Sequence, residues 1–299
     1  MESTLPNLSP KASSRLSVGT ILGIFKVRIG VVITFTALAG LAVSSGPSLS
    51  ALQLIVLTLA VLLSSASAGA FNQYYEHDID PLMSRTRKRV FATGAAPRGP
   101  IWLFTIGGLT VLSVGAAWLA LNAWSALFVF LGAFFYAIVY TVWLKRRTWL
   151  NIVFGGLAGS WAVLAGATAA DPHVGGVPLA LAFVLFLWTP PHFWSLAIAF
   201  RDDYAAAGVP MLPVVVGDKR AAKTVFFSTV ALVAASFLPA MFGLGAIYLV
   251  GAAIGGALFI HKAWHLSREP NRKTAMTCFH ASLIQLTLVL TAAIIDARF

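Results

Sequence analysis

Polar and apolar positions separate cleanly along this chain. Nine apolar runs, near residues 20–45, 50–74, 101–121, 123–143, 150–170, 177–200, 224–242, 245–264 and 276–296, alternate with short polar connections. A helix needs about 20 mostly apolar residues to cross a bilayer, and each run has roughly that length. The runs are apolar on every face, whereas a transmembrane barrel would show segments of about ten residues with alternating polarity. The pattern predicts an all-α polytopic membrane protein: a bundle of nine transmembrane helices forming one domain over 19–299, behind a polar N-terminal segment over 1–18. Composition agrees, because 59% apolar and 10% charged residues, with a mean hydropathy of +0.84, fall outside the range of a soluble domain.

The formal net charge of +11 raises nucleic acid as a partner, and the placement of the charges removes it. Of the 21 Lys and Arg residues, all but Arg298 fall in the N-terminal segment, in the connections after helices two, four, six and eight, or at the helix ends that face them. The other connections carry none. By the positive-inside rule the N-terminus and those four connections are cytoplasmic, and the ninth helix places Phe299 outside. Residues 1–18 include Glu2, Lys11 and Arg15 and have no apolar stretch before a cleavage site. No cleaved secretory signal is expected, then, and a bacterial inner membrane is favoured over a mitochondrial presequence. Cys278 is the single cysteine, which rules out an intrachain disulfide.

Candidate chemistry gathers at two helix ends. Asn72, Glu76 and Asp80 are spaced i, i+4, i+8, so a second helix continuing through them would carry all three on one face, with Asp78 on the other side and Pro81 ending the helix. A helix C-terminus already carries partial negative charge, so carboxylates there call for cations, and Arg85, Arg87, Lys88 and Arg89 follow. Helix six ends in the same way, with Asp202 and Asp203. Two acidic clusters, four helices apart, suggest two pseudo-repeated four-helix halves plus one helix. Carboxylates and a carboxamide are hard oxygen ligands that suit Mg²⁺ rather than zinc. Beside Arg and Lys they describe a metal-bridged diphosphate site at the membrane surface, fit for an isoprenyl diphosphate.

These segments resemble the UbiA-type intramembrane prenyltransferases, which carry an Asn/Asp-rich motif after helix two and another after helix six. NQYYEHDIDPLMSRT (72–86), YTVWLKRRT (140–148), TPPHFWSLAI (189–198) and DDYAAAGVPMLPVVVG (202–217) are similar to the haem-farnesylating branch, and they span both halves of the chain. The resemblance implies transfer of farnesyl from farnesyl diphosphate to a vinyl group of haem b, with Mg²⁺ on Asn72, Glu76, Asp80, Asp202 and Asp203. An aromatic acid or quinone precursor is the alternative acceptor. Any partner, such as a haem A synthase or an oxidase assembly factor, stays open. The sequence departs from the family at Glu76, where Asp is usual, at Val27 and Val90, where proline is usual, and in GSWAVLAG (159–166), which lacks a proline pair.

Arg85, Arg89, Lys145, Arg146 and Arg147 are candidates for clamping phosphate oxygens or haem propionates. Topology signalling is the other reading of the Lys145–Arg147 triplet. Lys26 and Arg28 interrupt the first apolar run, where a basic pair marks either a site or snorkelling to the interface. His192, beside Pro190 and Pro191, is a candidate haem contact, with a hydrogen-bonded core histidine as the alternative. Tyr204 adjoins the second acidic pair, and Tyr74, Tyr140, Phe193 and Trp194 lie near the motifs, each equally explained by packing. His261 and His265 read as interfacial. A secondary transporter would place ions on broken helices near the midplane, and no isolated carboxylate lies mid-span here.

Overall fold

The computed structural model describes residues 17–299. The expected polar segment, with Lys11 and Arg15, lies outside the described residues apart from Ser17 and Val18. Eight helices are long and apolar enough to cross a membrane, or nine when one bent pair counts as a single span, in keeping with the nine runs read from sequence. No strand occurs among the described residues.

The bent pair is α1 (Val18–Ile24) and α2 (Val27–Ala42), set at 54°. The second span is α3 (Ala51–Tyr75), opened by a reciprocal capping box between Ser50 and Gln53. A 3₁₀ turn over Asp80–Leu82 and the short α4 (Val90–Thr93) lead to α5 (Pro100–Ala120). The fourth span, α6 (Ala123–Phe134), passes directly into a π-helix over Phe135–Leu144. Next come α7 (Asn151–Gly155) and α8 (Leu157–Ala170), then α9 (Gly176–Ala199), which keeps Pro190 and Pro191 inside one helix. The short α10 (Arg201–Ala206) and α11 (Leu212–Val216) lie between α9 and the last spans, α12 (Asp218–Ala235) with α13 (Leu238–Met241), α14 (Ala246–Arg268) and α15 (Arg272–Asp296).

Lipid is as apolar as a leucine side chain, so helices in a bilayer associate through close packing of small residues. The contact of α2 with α8 shows this most sharply. A Cβ on Gly166 would sit 1.7 Å from the Ala37 carbonyl oxygen, and one on Gly40 would sit 2.1 Å from that of Val163. Backbone touches backbone there. One core, with Leu57, Val61, Ala117, Ala126 and Ala165, fills the α2, α3, α5, α6 side, and a larger one, with Leu181, Leu185, Tyr248, Phe259 and Leu290, fills the α9, α12, α14, α15 side.

Two local expectations are corrected. The first span is not continuous but breaks at Phe25 and Lys26. The second helix does not run to Asp80: α3 ends at Tyr75 with Glu76 as its C-cap, and the chain folds back through hydrogen bonds from the Ile79 and Asp80 amides to the Glu76 carbonyl. One α-type turn, closed by the bond from the Asp80 amide to the Glu76 carbonyl at 2.9 Å, keeps Asp80 beside Glu76 outside the continuous helix.

Candidate active site

A cleft of about 520 Å³ opens at the end of the bundle that carries the basic connections. Its wall includes Lys26, Asn72, Gln73, Glu76, Tyr136 and Tyr140, with Arg85, Lys88, Arg89, Lys145, Phe193 and Tyr204 completing the polar and aromatic surface. Each oxygen residue of the first motif meets its own cation. Lys26 Nζ donates to Asn72 Oδ1 at 2.6 Å, Lys145 Nζ donates to Glu76 Oε1, and Arg89 Nη1 reaches both Asp80 oxygens at 2.9 and 3.0 Å. Asn72 Nδ2 in turn donates to Thr141 Oγ1 at 3.0 Å, which fixes the orientation of the amide.

Glu76 and Asp80 are buried, at 1% and 0% exposure, so their charges are costly unless paired. Burial by itself would raise the Glu76 pKa, but Lys145 above all, with Lys26 and Arg89, outweighs it and holds the carboxyl below the usual range. At Asp80 burial wins over Arg89, and the pKa is raised. Glu76 Oε2 accepts no hydrogen bond and lies 3.8 Å from Arg89 Nη1. A buried carboxylate oxygen without a partner, beside a carboxamide and a second carboxylate, is a fitting donor for a hard cation. Among the described residues no three His, Cys, Asp or Glu side chains are grouped so as to hold a metal ion by themselves.

The π-helix decides what the fourth span contributes. Over the nine steps from Tyr136 to Lys145 an α-helix makes about two and a half turns and would set them on opposite sides. A π-helix, with about 4.4 residues per turn, makes close to two turns and aligns them. The bond from the Lys145 amide to the Tyr140 carbonyl, 2.9 Å, and that from Thr141 Oγ1 to the Tyr136 carbonyl, 2.8 Å, both span five residues. Tyr136 and Tyr140 thus stack at 5.7 Å with Lys145 beyond them, and the Tyr136 hydroxyl accepts from Lys26 at 2.9 Å. Tyr136 and Thr141 on this span and Gln73 on α3 were not singled out from sequence, because nothing in the local sequence separates them from ordinary packing residues.

The second acidic pair approaches the first without entering the cleft wall. In the first turn of α10 Asp202 is exposed and Asp203 is half-buried, and Ser84 Oγ donates to Asp203 Oδ2 at 2.6 Å. Arg85 Nη2 lies 3.4 Å from the Tyr204 hydroxyl, a second tie between the two segments. Arg146 stands apart from the cleft, in a two-pronged pair with Asp78 at 2.7 and 2.8 Å and against the Tyr75 ring, and this hydrogen bonding lowers the Asp78 pKa. Arg28 and Arg147 are exposed and do not line the cleft.

His192 is buried between the rings of Trp188, at 4.1 Å, and Phe279, at 4.5 Å. Its Nδ1 lies 2.6 Å from Ser282 Oγ, which donates its one proton to the Phe279 carbonyl at 2.6 Å.

This architecture and site define an intramembrane prenyltransferase: residues 33–287 match the UbiA prenyltransferase family, and the chain belongs to it. The chain is 56% identical over 273 residues to protoheme IX farnesyltransferase 2 of Paramagnetospirillum magneticum, covering 91% of this chain and 95% of that protein. It is 46% identical to protoheme IX farnesyltransferase 1 of the same organism, covering 92% and 97%. Among solved structures, digeranylgeranylglyceryl phosphate synthase superposes with a TM-score of 0.76 at 22% identity, covering 94% of this chain and 98% of that one. A UbiA homologue from Archaeoglobus fulgidus, bound to GPP and Mg²⁺, superposes with a TM-score of 0.69 at 16% identity, covering 92% and 99%.

Proposed function

We propose that this chain transfers the farnesyl group of farnesyl diphosphate to a vinyl group of haem b, giving haem O and diphosphate. The observation that carries the diphosphate half is the charge balance of the cleft. Five cations, Lys26, Arg85, Lys88, Arg89 and Lys145, stand against Glu76 and its neighbour Asp80. The surplus of three positive charges suits the trianionic diphosphate of a prenyl donor. The haem half is supported by the relatives named as protoheme IX farnesyltransferases, which match nearly end to end.

In the reaction the allylic C–O bond of the donor breaks and its electron pair leaves with the diphosphate. The terminal vinyl carbon of haem bonds to the farnesyl carbon, and water captures the electron-poor carbon left next to the ring and releases a proton. Lys26, Arg85, Arg89 and Lys145 bind the departing diphosphate and neutralise its growing charge. Asn72, Glu76, Asp80, Asp202 and Asp203 would hold Mg²⁺, which supplies Lewis-acid stabilisation of that leaving group. Tyr136, Tyr140 and Phe193 offer aromatic faces to the allylic cation. His192, buried on α9 behind the cleft residue Phe193, is the residue of that helix proposed to contact haem, and Tyr204 lines the cleft. The chain works in a bacterial inner membrane with the cleft facing the cytoplasm.

Purified protein given farnesyl diphosphate, Mg²⁺ and either haem b or 4-hydroxybenzoate tests this reading. A farnesylated haem and no prenylated benzoate, identified by mass, is the expected result. Prenylation of benzoate alone would leave a prenyltransferase with a different acceptor.

A further inference from the structure

Gln73 and Gly69, to which no role has been given, pack against the break in the first span. Lys26 has φ 48° and ψ 41°, the one positive φ outside glycine among the described residues. Such a conformation is unfavourable for a residue with a Cβ and persists where its surroundings over-determine it. Breaking the helix here also takes from the Gly23 and Ile24 carbonyls their partners four residues on, leaving Gly23 a long backbone bond from the Lys26 amide at 3.3 Å. Inside a bilayer those oxygens need a protein donor.

One face of α3 meets both needs. Gln73 Nε2 donates to the Gly23 carbonyl at 2.7 Å and to the Ile24 carbonyl at 3.1 Å, so both its N–H groups are committed and none is left for an anion. One turn earlier, Gly69 leaves the trough in which the Lys26 stem lies. A Cβ there would stand 3.2 Å from Lys26 Cβ and 3.3 Å from its Cδ. Between them Asn72 receives the Lys26 ammonium, and Tyr136 takes it from across the cleft. The strained backbone, the capped carbonyls and the glycine trough all converge on the position of one charge.

We propose that Gln73 and Gly69 are positioning residues for diphosphate binding: they hold the broken first span so that the Lys26 ammonium stands in the cleft. This deepens the function proposed above and rests on it for the identity of the anion. The Lys26 ammonium is the group that meets the phosphate oxygens, while Gln73 and Gly69 act only through it.

Binding of inorganic pyrophosphate with Mg²⁺ to the purified full-length protein, followed by calorimetry, tests this without the acceptor. Gln73→Ala is expected to weaken affinity about tenfold, the scale of one charge-assisted hydrogen bond, and Lys26→Met at least as much. The double variant should bind no more weakly than Lys26→Met alone, because a residue acting through Lys26 has nothing left to position. Gly69→Ala and its combination with Lys26→Met should behave alike, and they carry the test if Gln73→Ala does not fold. Losses that add fully in the Lys26→Met background, or unchanged affinity in Gln73→Ala and Gly69→Ala, would overturn the proposal. Wild-type protein that binds pyrophosphate but leaves haem unmodified would instead remove the acceptor assignment and leave the role of Gln73 standing. No pyrophosphate binding by wild type would remove both.

Discussion

Ser84 Oγ donates to Asp203 Oδ2 at 2.6 Å, joining the loop after α3 to the first turn of α10 across 119 residues of chain. The bond ties the loop that follows the first acidic motif to the helix turn that carries the second. Asp203→Asn removes a charge proposed for the metal and should lower turnover by about 10²-fold or more. Ser84→Ala only frees the carboxylate and should lower it less than about tenfold. Farnesyl transfer at saturating Mg²⁺ measures both, and equal losses would place the serine itself in the chemistry.

The Lys145–Glu76 pair is buried, so removing one partner strands the other. Lys145→Met and Glu76→Gln should each destabilise the folded protein by about 3–5 kcal/mol, and the double variant should recover much of that loss. Thermal unfolding in detergent measures the cycle. A double variant as unstable as the sum of the singles would show that the two residues do not act as a pair.

Arg146 pairs with Asp78 where both side chains are partly exposed, at 34% and 48%. Such a pair contributes about 0.2–1 kcal/mol. Arg146→Ala should therefore leave turnover within a few-fold of wild type, whereas Arg89→Ala, which strands buried Asp80, should nearly abolish it. Steady-state rates of the two variants separate a surface strut from a cleft cation.

Gly166 has no room for a methyl group, because its neighbour is the Ala37 carbonyl rather than a flexible side chain. Gly166→Ala must push α2 and α8 apart and should cost at least the roughly 1–3 kcal/mol of an overpacked core. Yield and unfolding temperature in detergent are the readouts. Gly107→Ala, where the space is open, should change neither.

A phosphatase reporter active only outside the cytoplasm should be active when fused after Phe299 and silent when fused within the connection 85–98. The reverse pattern would turn the cleft away from the cytoplasm.

The class of fold, about nine spans and the acidic motifs were all legible in the chain's own order of residues. These depend on composition and on short spacing: some 20 apolar residues must cross as a helix, and Asn72, Glu76 and Asp80 lie within one short segment. The same order also placed Lys26, Arg85, Arg89, Lys145 and Tyr204 as candidates, and tertiary structure gathers all five around one cleft. Which cation answers which oxygen was decided only in three dimensions, since Lys145 and Glu76 are 69 residues apart and meet through helix packing. The π winding that turns Tyr136 toward Lys26 is invisible to α periodicity. Lys26 and Arg28 mark an interruption of the first run, but that the helix breaks there, with its carbonyls capped from α3 by Gln73, is seen only in three dimensions. Arg146 and Lys145 are equal as sequence, yet one pairs at the surface and the other in the interior, and adjacent side chains leave a helix end in different directions.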